Sequence, residues 1–115
     1  MADHERAAQI RALNDQMRTN GPLAASHNRW VITPGVVALG PQALEALIET
    51  LRKFSDFTED NDPYGEHDFG SIEIEGERVF WKIDYYDRTL TEGSGDAADE
   101  AVTCRVLTLM LAMEY

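Results

Sequence analysis

Apolar and polar residues alternate most clearly between Ser71 and Asp87, and the alternation predicts a β-hairpin. Glu75-Gly76 separates its two runs, and glycine supplies the positive φ that a tight turn needs. With that turn, Ile74 faces Glu77, Glu73 faces Arg78, Ile72 faces Val79 and Ser71 faces Phe80. Side chains alternate between the faces of a strand. One face therefore carries Ile72, Ile74, Val79, Trp81, Ile83 and Tyr85, and the other Phe69, Glu73, Arg78, Phe80, Lys82, Asp84 and Tyr86. The first set is a core face. The second mixes aromatic rings with charge, as a partly wet or partner-binding surface does.

Helical spacing appears twice. Leu44, Leu47, Ile48, Leu51 and Phe54 form a broad stripe after Gly40-Pro41, with Glu49 placed to pair with Lys53. This helix is expected to cover the apolar face of the hairpin's sheet. Ile10, Leu13 and Met17 form a narrower stripe over residues 3–18, which Asn20-Gly21-Pro22 ends. Such a helix packs on one side only and frays at its start. Arg29 to Thr33 reads as a strand, Pro34-Gly35 breaks it, and Val36 to Leu39 reads as an apolar approach to the next helix. After a polar loop, residues 97–103 fit a helical turn. In residues 105–115, Leu107, Leu109, Leu111 and Met113 alternate as in a mostly buried strand, although Leu, Met and Ala also favour helix. The predicted fold is α+β: two helices packed on a small, mainly antiparallel sheet with a central β-hairpin over residues 72–85.

The 115 residues suit a single domain, 1–115, with one core. No apolar run approaches the length of a bilayer span, and Met-Ala-Asp-His-Glu-Arg lacks the features of a signal peptide, so a cytoplasmic location with no membrane partner is expected. The single Cys104 excludes an internal disulfide and a multi-cysteine zinc site, and reads as a small buried hydrophobe. The net charge of -11 disfavours direct binding of nucleic acid, which needs Lys and Arg against phosphate, and favours a basic protein partner.

That charge concentrates around residues 55–70, since no Lys or Arg occurs between Lys53 and Arg78. Asp60-x-Asp62-x-x-Gly65 opens like a calcium loop, but Tyr64 and Ser71 stand where ligands are required. A divalent transition metal on His67 and Asp68, helped by Asp60, Asp62 and Glu66, needs a second nitrogen from His4 or His27. The competing reading has His67 and Asp68 anchoring the loop. Asp68, Glu75 and Lys82 are of the types a nuclease uses, yet the turn holds Glu75 away from Lys82. Ser26-His27 lacks the glycine pattern of a nucleophile elbow. Trp30, Trp81, Tyr85 and Tyr86 could stack on bases, but sheet packing accounts for them and the charge opposes the alternative.

Three blocks carry a resemblance: Asn61-Asp62-Pro63-Tyr64-Gly65-Glu66-His67-Asp68-Phe69-Gly70, Val79 to Asp87, and Arg105 to Ala112. Together they resemble a family of small bacterial proteins described as a domain of unknown function, common on plasmids and other mobile elements. The resemblance runs over roughly residues 5–115 and supplies no catalytic residues. It implies a bacterial cytosolic protein and a role in conflict between mobile elements and host defence. The expected function is therefore a non-enzymatic acidic binding protein with no obligatory cofactor. It would act as a DNA-mimic inhibitor, of the anti-CRISPR kind, of a nucleic-acid-handling complex. Its expected docking residues are Asp60, Asp62, Tyr64, Glu66, Asp68, Phe80, Lys82 and Tyr86, with the loop carboxylates exposed. The alternative is a small metal-dependent hydrolase built on His67 and its carboxylates.

Overall fold

The computed structural model describes residues 2–115. Helix α1 spans Ala2–Asn20, strand β1 Arg29–Ile32, helix α2 Pro34–Val37 and helix α3 Pro41–Arg52. Strands β2 (Phe69–Ile74), β3 (Glu77–Tyr86) and β4 (Cys104–Leu111) follow, with short 3-10 turns at Glu100–Val102 and Ala112–Glu114. The sheet order is β1-β4-β3-β2; β3 is antiparallel to β2 and β4, and β1 is parallel to β4.

The fold is α+β, and the hairpin has the predicted register, with Ile74 opposite Glu77 and Ile72 opposite Val79. Glu75 (φ 51°) and Gly76 (φ 79°) both adopt the left-handed conformation that a tight hairpin turn requires. The hairpin is not central, however. Its first strand, β2, forms one edge, and β3 and β4 occupy the middle. The number of helices also differs from expectation. Val36 to Leu39 is not a plain approach, because Pro34–Val37 closes one helical turn that buries Val36 completely. A single turn is too short to show helical periodicity.

Helices cover one face of this sheet. Met17 of α1, Val36 of α2 and Leu47 and Leu51 of α3 share a core with Ile72, Val79, Trp81, Ile83, Leu107 and Leu109. Gly70 belongs to the same packing, since a side chain there would run into the Trp81 indole and the Phe54 ring. The C-terminal segment is a strand as predicted but stops at Leu111. There the Glu114 carboxylate turns back to accept hydrogen bonds from Leu111 N (2.8 Å), Thr33 Oγ1 (2.7 Å) and Gly35 N (3.1 Å). That clamp takes Met113 off the alternating pattern and leaves it exposed.

Candidate functional site

The acidic loop is built rather than loose. Thr58 and Asn61 bond each other's backbone N–H, and Asn61 Nδ2 donates to Asp56 O at 2.8 Å. Asp62 then turns inward, its side chain only 6% exposed. Its Oδ1 accepts from both Glu66 N and His67 N at 3.1 Å, which holds His67 at the strained φ of 55°.

Helix α1 grips this loop from one side. Arg11 Nη1 donates to Gly65 O (2.8 Å) and Asn14 Nδ2 to Glu66 O (3.0 Å). His67 Nδ1 donates to Asp15 Oδ1 (2.8 Å), while Nε2 lies 3.6 Å from Asp62 Oδ2. The imidazole stacks on Phe57, with ring centroids 3.7 Å apart and planes within 4°. Arg18 lies beyond Phe57, its guanidinium over both that ring and Trp81, and donates to Leu51 O and Phe54 O.

A second polar cluster lies beneath the loop. Tyr85 donates its hydroxyl proton to Glu66 Oε1 (2.8 Å) and accepts from Asn14 Nδ2 (2.9 Å). Asn14 Oδ1 accepts from Arg105 Nε at 2.7 Å, and Arg105 Nη2 donates to Ala97 O. The Arg105 guanidinium lies over the Tyr85 ring, 5.2 Å from its centroid. Burial pushes the Tyr85 hydroxyl far above the usual tyrosine range, and its bond to Glu66 adds to the effect. Burial, followed by the nearby Glu66 charge, also raises Asp68 above the ordinary aspartate value.

This arrangement divides the residues expected to dock together. Asp60 and Tyr64, the latter 80% exposed, face outward from the loop. Asp62 and Glu66 are structural acceptors and Asp68 is half-buried, so the expectation of fully exposed loop carboxylates is corrected. A turn this tight needs acceptors for its own N–H groups, and Asp62 supplies one. Phe80, Lys82 and Tyr86 lie on the opposite, helix-free face of the sheet, away from the α1 side where the loop packs.

The metal reading of His67 with Asp68 meets a different geometry. His67 turns to Asp15 and Asp62, and His27 Nε2 is committed to Thr103 O at 2.8 Å. Among the described residues, no group of three or more His, Cys, Asp or Glu side chains has the spacing to hold a metal ion. Cys104 is buried, its Sγ 3.3 Å from His27 O. No described helix is long and apolar enough to cross a membrane.

Sequence reasoning missed Asn14, Asp15, Arg18 and Arg105. The signal for Arg105 was present, because strand alternation places it on the same face as Leu107 and Leu109. Asn14 and Arg18 occupy helical stripe positions with Ile10 and Met17, where a polar residue reads as an interruption rather than a buried bond.

Comparison with the curated proteins and with the solved structures finds no match to this chain. A family described as "Protein of unknown function (DUF3768)" matches residues 32–114, a shorter span than the expected 5–115 because α1 and most of β1 lie outside it. The match covers well over half of the chain, and the chain belongs to that family.

Proposed function

We propose that this chain is a non-enzymatic binding protein whose acidic surface engages a basic, nucleic-acid-handling protein or complex. In its sharp form it is a DNA-mimic inhibitor of a host defence system, of the anti-CRISPR kind, made in the bacterial cytoplasm and carried on a plasmid or other mobile element. The observation that carries the reading is where the cations sit. Of ten Lys and Arg residues, Arg18 and Arg105 are buried, and Arg11 is bonded to the loop backbone. Arg6, Arg52, Lys53, Arg78 and Lys82 each lie within ion-pair distance of a carboxylate. Arg29 and Arg88 are the remaining two, so on a chain of net charge -11 few cations are free to offset the outward carboxylates. Asp56, Glu59, Asp60 and Glu75 are exposed, and among the described residues none of them is in an ion pair. A field of one sign speeds the approach of an oppositely charged partner.

The test is survival of phage or plasmid in a host with an active defence system, with and without this protein. The triple variant Asp56→Lys, Glu59→Lys and Asp60→Lys reverses only outward carboxylates and leaves the loop's own acceptors in place. Wild-type protection, lost in the triple variant at an unchanged melting temperature, is the expected result. Association with the captured partner should also slow as salt rises, since the Debye length is about 8 Å at physiological ionic strength. Equal protection by both forms, or none by the wild type against any defence tested, overturns the proposal.

A further inference from the structure

The helix-free face of the sheet differs from the rest of the surface in both charge and chemistry. Its apolar part is Val31, Val106, Phe80 and Phe69, brought together around Thr108 and the buried Met110 by the pairing of Val31 with Thr108 and of Met110 with Phe80. Val31 is 45% exposed and Tyr86, at one end of the face, 37% exposed. Phe69 and Phe80 lean on each other with centroids 5.2 Å apart, both half-buried, and the exposed Tyr115 ring meets both edge-on, at 6.2 and 5.7 Å. The charges among these strand residues nearly cancel. Lys82 Nζ lies 2.8 Å from Asp84 Oδ2, Arg78 Nη2 lies 2.7 Å from Glu73 Oε1, and Arg29 adds one cation. On a chain of net charge -11, the excess negative charge therefore lies elsewhere.

We propose that a second copy of this chain docks on this face, sheet against sheet, to form a two-fold symmetric dimer. Two copies approaching by an acidic surface repel each other, whereas here the repulsion is least and apolar area is available to bury. A two-fold axis brings the same residues together from both copies, so the patch must complement itself. The Lys82–Asp84 pair made within each chain satisfies that condition, because two such pairs set head to tail across the axis present opposite charges to each other. A basic partner is the wrong occupant for a face that displays Arg29, Arg78 and Lys82. The inference goes beyond the proposed function and stands on the sheet face alone.

Salt gives the test its sign. Docking of a basic partner weakens as salt rises, but dimerisation of two acidic chains strengthens, because screening removes their mutual repulsion. Sedimentation equilibrium of the full chain should show a monomer–dimer equilibrium that shifts toward dimer from low salt to roughly 0.5 M, where charges more than a few ångströms apart are screened. Val31→Glu, at a partly exposed position that needs no repacking, should reduce the association constant at least tenfold with an unchanged melting temperature. Lys82→Glu should do the same without touching any apolar residue. A wild type that stays monomeric at about 100 μM in either salt, a dimer that salt weakens, or a dimer that survives both substitutions overturns the proposal. A dimer that confers no protection defeats the proposed function alone, and a protective monomer defeats this inference alone.

Discussion

Helices α1 and α3 lie over the same face of the sheet but are held by different forces. The buried side of α3 is Ala43, Leu47 and Leu51, with Leu44 and Ile48 beside them. Each such large aliphatic side chain contributes about 1.5–3 kcal/mol through burial, with little demand on direction. The buried line of α1 is Ile10, Asn14, Met17 and Arg18. Half of it is polar, and each polar member is bonded to something specific. Asn14 uses both ends of its amide, toward Glu66 and Tyr85 on one side and Arg105 on the other. Arg18 bonds the carbonyls of Leu51, in the last turn of α3, and of Phe54, just beyond it, adding a second donor to Leu51 O, which already accepts from Phe54 N. Apolar docking tolerates small shifts, whereas hydrogen bonds weaken steeply away from their preferred distance and angle. α3 builds the core, and α1 sets the positions of the acidic loop and of the end of α3.

The largest expected effect lies on the α3 side. Leu51→Ala should destabilise the protein by ~2–5 kcal/mol in urea titration, the range for a large-to-small core change. A loss of less than about half a kcal/mol would mean that α3 does not hold the core. Next comes Asn14→Leu, which keeps the size of the side chain and removes its bonds. If α1 docked as α3 does, the added apolar surface would stabilise the fold. The expectation is a loss of about 1–3 kcal/mol, because the Arg105 guanidinium is left with an unmet donor in the interior. Equilibrium unfolding with unchanged or raised stability would erase the contrast between the helices.

Smaller effects test the loop that α1 holds. The folded-state pKa of Asp68 is raised, by burial first and by Glu66 next, so its charged form is disfavoured in the native state. Such a group takes up a proton more readily folded than unfolded, and its penalty disappears as pH falls through the folded value. Asp68→Asn should therefore raise the melting temperature at pH 7 and lose that advantage in acid. An advantage that does not change with pH would assign the gain to something other than charge. The smallest effect is expected outside both helices. The hydrogen bond from Thr33, followed by that from Leu111 N, lowers the pKa of Glu114. A lowered carboxylate contributes stability above its unfolded value, near pH 4.3, and loses it as pH falls through the folded value. Glu114→Gln should flatten that part of the acid limb in melts taken between pH 5 and 2, and an unaltered acid limb would show that the clamp does not contribute.

These contrasts also explain what could be read from the chain. Apolar periodicity reports burial driven by water, so the α3 stripe and the hairpin register were legible, while β4 alternated as a strand in residues that also favour helix. The polar cluster was not, because Asn14, Glu66, Tyr85 and Arg105 are brought together by folding from four separate segments. A run of carboxylates likewise carries no mark of which members point inward. Asp62 and Asp60 look equivalent in the sequence; turn geometry makes one an acceptor for two backbone N–H groups and leaves the other in solvent. The placement of β2 at the edge depends on β4 pairing with β3, a long-range choice that local patterning does not encode.

The parallel pairing of β1 with β4 has a consequence for self-recognition. β1 is four residues long and covers Val106 to Leu109. β4 reads Cys-Arg-Val-Leu-Thr-Leu-Met-Leu, with one charge, no proline and no glycine. Such a sequence with an open row of backbone N–H and C=O groups is a template for other strands. β1 acts as a guard rail along it. A fragment starting at residue 32, where the family match begins, would lack that rail together with α1. It would present its most apolar strand as an open edge to every other copy.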